Sequence, residues 1–143
     1  MIVLKDEGLY CPEGDFFIDP LLPCKNAVIT HAHADHARPG MKNYICTPET
    51  SEIMKLRISN DLLIKEVEYN KEIKINSVKI TFIPAGHVLG SSQIKIDNGS
   101  EVTIITGDYK RASDPTCKAF EVHECDTFIT EATFASPNFK WPC

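Results

Sequence analysis

Short runs in which apolar and polar positions alternate recur along this chain, and each marks a strand with one face turned inward. Ile73 and Ile75 flank a lysine, Asn76 and Ser77 supply a turn, and Val78, Ile80 and Phe82 resume the alternation, which predicts a hairpin. Ile94 and Ile96 lead into Asp97, Asn98 and Gly99, a strong turn signal, and Val102 to Ile105 complete a second hairpin. Shorter strands are expected at Phe16–Ile18, Ala27–Thr30, Asn43–Cys46 and Thr127–Thr130. Thr47 followed by Pro48 and Glu49 has the chemistry of an N-cap with proline at the first helical position, so a helix is predicted from about Pro48 to Ile58. The layout is strand-dominated with one clear helix. No repeat, low-complexity tract or long Gly/Ser linker divides it, so it reads as one unit.

Composition changes this picture little. The 143 residues suffice for one domain with its own core, and 43% hydrophobic with 24% charged residues is the balance of a soluble globular chain. No stretch approaches the roughly 20 apolar residues that span a bilayer, and the N-terminus lacks a signal-peptide pattern, so a cytoplasmic location without membrane attachment is expected. The six cysteines, at 11, 24, 46, 117, 125 and 143, form no Cys-x-x-Cys pair; they argue against a zinc ribbon and read as small, inert hydrophobes. The formal charge of −5 is unusual for a nucleic-acid binder, but two divalent cations would bring it to −1.

Candidate chemistry changes it a great deal. His31, His33, Asp35 and His36 fall within six consecutive residues, and only five histidines occur in the whole chain. The run is internal and follows the strand-like segment Ala27–Thr30, unlike a tag or a storage tract. Strand alternation would place His31 and His33 on one face, and a turn would let Asp35 and His36 reach a neighbouring point. Two nearby cations could share this hexapeptide. Other ligand-type residues also fall where predicted strands run out: Asp19, His87, Asp108 and Glu131. Singly, each is a turn residue; jointly, at one sheet edge, they assemble a site.

HAHADH at 31–36, GHVLGS at 86–91 and TGDY at 106–109 resemble the metallo-β-lactamase fold in its nucleic-acid-processing β-CASP branch. GLYCPEGDFFIDP, THAHADHARPG, GDYKR, DPTC and DTFITEATF look more specifically like the ligase-associated DNA exonuclease family, over almost the whole chain. The resemblance implies an α/β (α+β) chain forming the N-terminal half of an αββα sandwich. It implies His31, His33 and His87 as ligands of one Zn²⁺, Asp35 and His36 on a second, and Asp108 bridging the two. Asp19 matches an acidic residue that orients a ligand histidine, and Glu131 matches the acid that opens the β-CASP insertion; with Asp35 they are the expected catalytic acids. The reaction implied is two-metal hydrolysis of a phosphodiester, in a repair nuclease acting on DNA in preference to RNA and in association with a DNA ligase.

The family's later motifs supply two further histidines that positions up to Cys143 do not match, so 1–143 is expected to be a single domain truncated before the β-CASP insertion. The second metal site is then expected to be incomplete, and nuclease activity of this chain alone is left open. Three other readings stay open: a β-CASP ribonuclease, a thioester or lactone metallohydrolase, and an inactive metal-binding fragment. Lys110 and Arg111 could touch a substrate backbone, although adjacent basic residues are more often a solvated turn.

Overall fold

The computed structural model describes residues 1–138 and 140. Its strands are β1 (Val3–Lys5), β2 (Gly8–Cys11), β3 (Phe16–Ile18), β4 (Asn26–Val28), β5 (Asn43–Cys46), β6 (Ile64–Glu66), β7 (Ile73–Ile75), β8 (Val78–Pro84), β9 (Ser92–Asp97), β10 (Val102–Ile105) and β11 (Thr127–Ile129), with helix α1 (Pro48–Arg57) between β5 and β6. Strands β1 to β6 form one sheet in chain order, antiparallel as far as β3 and parallel from there. The second sheet runs β11-β10-β9-β8-β7, an antiparallel meander closed by β11 parallel to β10.

Alternation explains how the sheets stack. In β8, Val78, Ile80 and Phe82 are buried; in the register with β9, Ile80 lies opposite Ile96 and Phe82 opposite Ile94. These side chains meet Cys11, Phe16, Ile18 and Val28 of the first sheet in one core. A second core lies on the outer face of that sheet, where Ala27, Ile29, Tyr44 and Cys46 pack with Met54 of α1. The described residues thus form three layers, helix, sheet and sheet, within an α+β architecture.

Three strands escape the sequence pattern. In β1 all three residues are exposed, β6 is a short edge strand, and β2 begins at a glycine, so none shows clear alternation. The fourth strand is shorter than expected and stops at Val28; His31 and His33 therefore converge through a turn and not through strand alternation. Of the cysteines, Cys11 and Cys46 are buried, and burial pushes the Cys46 thiol up to about 12. Cys24, Cys117 and Cys125 are only half-buried, and Cys143 lies outside the described residues.

The helix start is tied to the second sheet. Thr47 Oγ1 accepts the Thr50 N–H and donates to the Gly90 carbonyl at 2.7 Å, and Thr50 Oγ1 reaches the same carbonyl at 3.0 Å. Replacement Thr47→Val should therefore remove a cap and an inter-layer hydrogen bond from a fully buried position and cost about 1–2 kcal/mol in urea unfolding. The control Leu56→Ala, on a helix residue 87% exposed, should change stability by no more than about 0.5 kcal/mol.

Candidate metal centre

The connections leaving β3, β4, β8, β10 and β11 bring Asp19, the hexapeptide, His87, Asp108 and Glu131 to one region. Thr30 is pinned there, because its carbonyl accepts the Ser92 N–H at 2.8 Å and the Ser92 hydroxyl at 3.0 Å. The chain then turns, with the His36 and Ala37 N–H groups both donating to the His33 carbonyl. Gly107 has a φ of +54°, and a Cβ there would lie 2.6 Å from Thr30 Oγ1, so only glycine lets Asp108 approach this closely.

Three imidazole nitrogens face one another. His33 Nδ1 lies 3.1 Å from His31 Nε2 and 3.3 Å from His87 Nε2. Asp108 Oδ2 is 3.8 Å from His31 Nε2 and 3.7 Å from His87 Nε2, and one ligand atom from each of the four residues falls within 4.8 Å of the others. The other carboxylate oxygen, Asp108 Oδ1, is 3.3 Å from His36 Nε2, so Asp108 faces both groups. A second possible cluster joins Asp19, His31 and His36. Asp35 Oδ2 is 3.6 Å from His36 Nε2, on a side chain 74% exposed at the open rim.

Asp19 organises the protons behind these rings. Its Oδ1 accepts the Thr30 N–H at 2.8 Å, while Oδ2 lies 2.6 Å from the Thr30 hydroxyl and 2.7 Å from His36 Nδ1. A carboxylate only accepts, so the Thr30 hydroxyl donates to it and must accept from His31 Nδ1, 3.0 Å away. His31 and His36 then both carry their proton on Nδ1 and turn a bare Nε2 lone pair inward.

Electrostatics reinforce this arrangement. His31 is fully buried, and burial, with His36, His87 and His33 as neighbours, lowers it to about 2, which keeps it neutral. Burial also lowers His87, against the pull of Asp108. At His36 burial opposes the charged form, but the Asp19 hydrogen bond and the charges of Asp19, Asp108 and Asp35 outweigh it and raise its pKa. The bare Nε2 of His31 lies beside ring nitrogens of His33 and His87, a donor set that a cation between them would join. In a tetrahedral centre with Zn–N bonds of 2.0–2.1 Å, nitrogens stand roughly 3.3 Å apart. The separations of 3.1 and 3.3 Å fit such a group.

Arg57 carried no signal in the sequence. From the last turn of α1 it donates to the Ala32 carbonyl through Nε at 3.1 Å and to the Ala37 carbonyl through Nη2, clamping both ends of the hexapeptide turn. Glu131 accepts the Tyr109 N–H at 3.2 Å and the Thr133 hydroxyl, which holds the segment after β10 that carries Asp108. Lys110 pairs with Asp114 at 3.4 Å, whereas Arg111 is exposed. Beside His36 and Asp108 opens a mostly apolar cavity of about 340 Å³, lined by Leu9, Ile18, Ile105 and Ile129 among others.

No family model matches the sequence. The chain is 26% identical over 94% of its length to a probable DNA ligase of Opitutus terrae, covering 13% of that protein. It is 29% identical, again over 94% of its length, to the transcription termination factor FttA of Methanosarcina mazei, covering 26% of it. The chain thus spans about a quarter or less of the length of these relatives. Among solved structures, CmlA, a diiron β-hydroxylase from Streptomyces venezuelae, superposes with a TM-score of 0.56 at 17% identity, over 76% of this chain and 28% of that one. That likeness is one of fold. The two packed sheets with a histidine- and aspartate-rich edge thus have a metallo-β-lactamase-like fold, and the sequence is similar to segments of a probable DNA ligase and of a transcription termination factor.

Proposed function

We propose that this chain carries the metal-binding core of a zinc-dependent phosphodiesterase, a DNA exonuclease working with DNA ligation and repair. The observation that supports it most is the convergence of His31 Nε2, His33 Nδ1 and His87 Nε2 on one point, with Asp108 closing the group. In this reading these four residues hold one zinc. His36, Asp35 and the second oxygen of Asp108 face a second metal position. Imidazole and carboxylate donors without thiolates suit an open hydrolytic site and not a closed structural one. Zinc bound here would supply Lewis-acid activation of water and neutralise phosphate charge.

The chain's own groups do the rest. Asp19 fixes the proton on the outer nitrogen of His36 and, through Thr30, of His31, and so orients both rings. Glu131 is a positioning residue that steadies Asp108 through the Tyr109 amide. Asp35, exposed at the rim, is placed to take a proton from water attacking a phosphodiester. Similarity to a probable DNA ligase favours DNA and a ligase partner. Similarity to a transcription termination factor favours RNA as the second reading.

Metal analysis of the purified protein should find zinc retained through dialysis at about one ion per chain, lost in His87→Ala; retained iron would overturn the choice of zinc. Asp19→Asn should weaken zinc binding about 10- to 100-fold in a chelator competition, the range for losing the partner of a ligand histidine. Arg57→Ala should weaken it about tenfold, with partial rescue in Arg57→Lys, because the turn loses its clamp. Zinc-loaded protein should shorten end-labelled single-stranded DNA stepwise and at least about tenfold faster than matched RNA. The reverse ranking would favour the RNA reading, and cleavage of neither would sink the hydrolase reading.

A further inference from the structure

We infer that Tyr109, Phe120 and Arg111 form a stacking subsite for a nucleobase of a single-stranded substrate, next to the metal cluster; this rests on the nucleic-acid reading above. Tyr109 directly follows Asp108, and its ring lies 5.2 Å from that of Phe120, tilted by 30°. The two rings help line a cavity of about 270 Å³ with Arg111, His123 and Phe128, the last 50% exposed. Two rings in tilted contact beside an opening offer aromatic faces to a base, and stacking accepts any base because each has a π-face.

Backbone contacts tie this cavity to the cluster. A Cβ on Gly86 would lie 2.5 Å from the Lys110 carbonyl and 2.9 Å from the Phe120 nitrogen, so both segments are laid against the residue before His87. The Lys110 N–H donates to the Ala85 carbonyl at 3.0 Å, and the Glu121 N–H to the Pro84 carbonyl at 3.2 Å. The segments that carry the aromatic pair are therefore held against the end of β8, which leads into His87.

Charge fits the same occupant. Arg111 makes no ion pair or hydrogen bond among the described residues and is exposed at the cavity mouth. Glu121, the acid lining the cavity, is already engaged by His123 Nε2 at 3.1 Å and Asn70 Nδ2 at 3.3 Å. Aromatic faces beside an uncommitted guanidinium suit a base and its phosphate, and Arg111 serves that phosphate.

The test is fluorescence anisotropy of a labelled ten-nucleotide thymidine strand bound to the zinc-loaded full chain. Phe120→Ala and Tyr109→Ala should each weaken binding about tenfold, Tyr109→Phe should leave it unchanged, and Arg111→Gln should flatten the salt dependence by about 0.7 in logarithmic slope. Zinc content and thermal unfolding of each variant check that the fold survives. If a ring variant fails to fold, an abasic strand offered to the unaltered protein decides, and should bind about tenfold more weakly than thymidine. Equal binding of both strands, or ring variants that fold and bind as the parent does, would overturn the subsite. Absence of any strand binding or cleavage by the parent protein would instead sink the nucleic-acid reading.

Discussion

One carboxylate sets the protonation of the site. Asp19 accepts from the Thr30 amide, the Thr30 hydroxyl and His36 Nδ1, and through that hydroxyl it determines which nitrogen of His31 bears the proton. The residue sits at a φ of +45°, in the left-handed region that side chains other than glycine seldom occupy. Its amide is held there by the Val28 carbonyl at 3.0 Å. Local backbone strain of this kind persists only where surrounding bonds over-determine it, and here both the amide and the carboxylate of Asp19 are held.

The rest of the architecture delivers partners to this anchor. The two sheets share a core of strand side chains, and their strand ends meet where Ser92 of the second sheet grips the Thr30 carbonyl beyond the first. Helix α1 contributes from both of its ends. Its cap bonds the loop that follows His87, and Arg57 in its last turn grips the hexapeptide. A ten-residue helix thus braces two separate stretches that face one cluster.

Much of the fold was legible where strands were long and half-buried. Val78, Ile80 and Phe82, and then Ile94 and Ile96, alternate because one face of their sheet packs on the other sheet. Strands β1, β2 and β6 were not legible, since three or four residues at or near a sheet edge carry little alternation, and their pairing depends on neighbours distant in sequence. The end of β4 was misplaced for a related reason. Ile29 and Thr30 have strand-like side chains, but the chain there is already committed to bonds with Ile45 and Ser92.

For the site, the sequence alone determined the donor types, their crowding into positions 31–36, and the placing of Asp19, His87, Asp108 and Glu131 after apolar strands, because those depend only on residue identity and local pattern. Which nitrogens face one another was decided by tertiary structure. So were the proton path from His31 through Thr30 to Asp19, and the clamp by Arg57. The tilted contact of Tyr109 and Phe120 belongs with them, since no local spacing encodes a contact between residues eleven apart across a loop. Hydrogen bonds are directional and short, so chemistry written in separate strands becomes a site only when sheet packing sets their ends within a few ångströms.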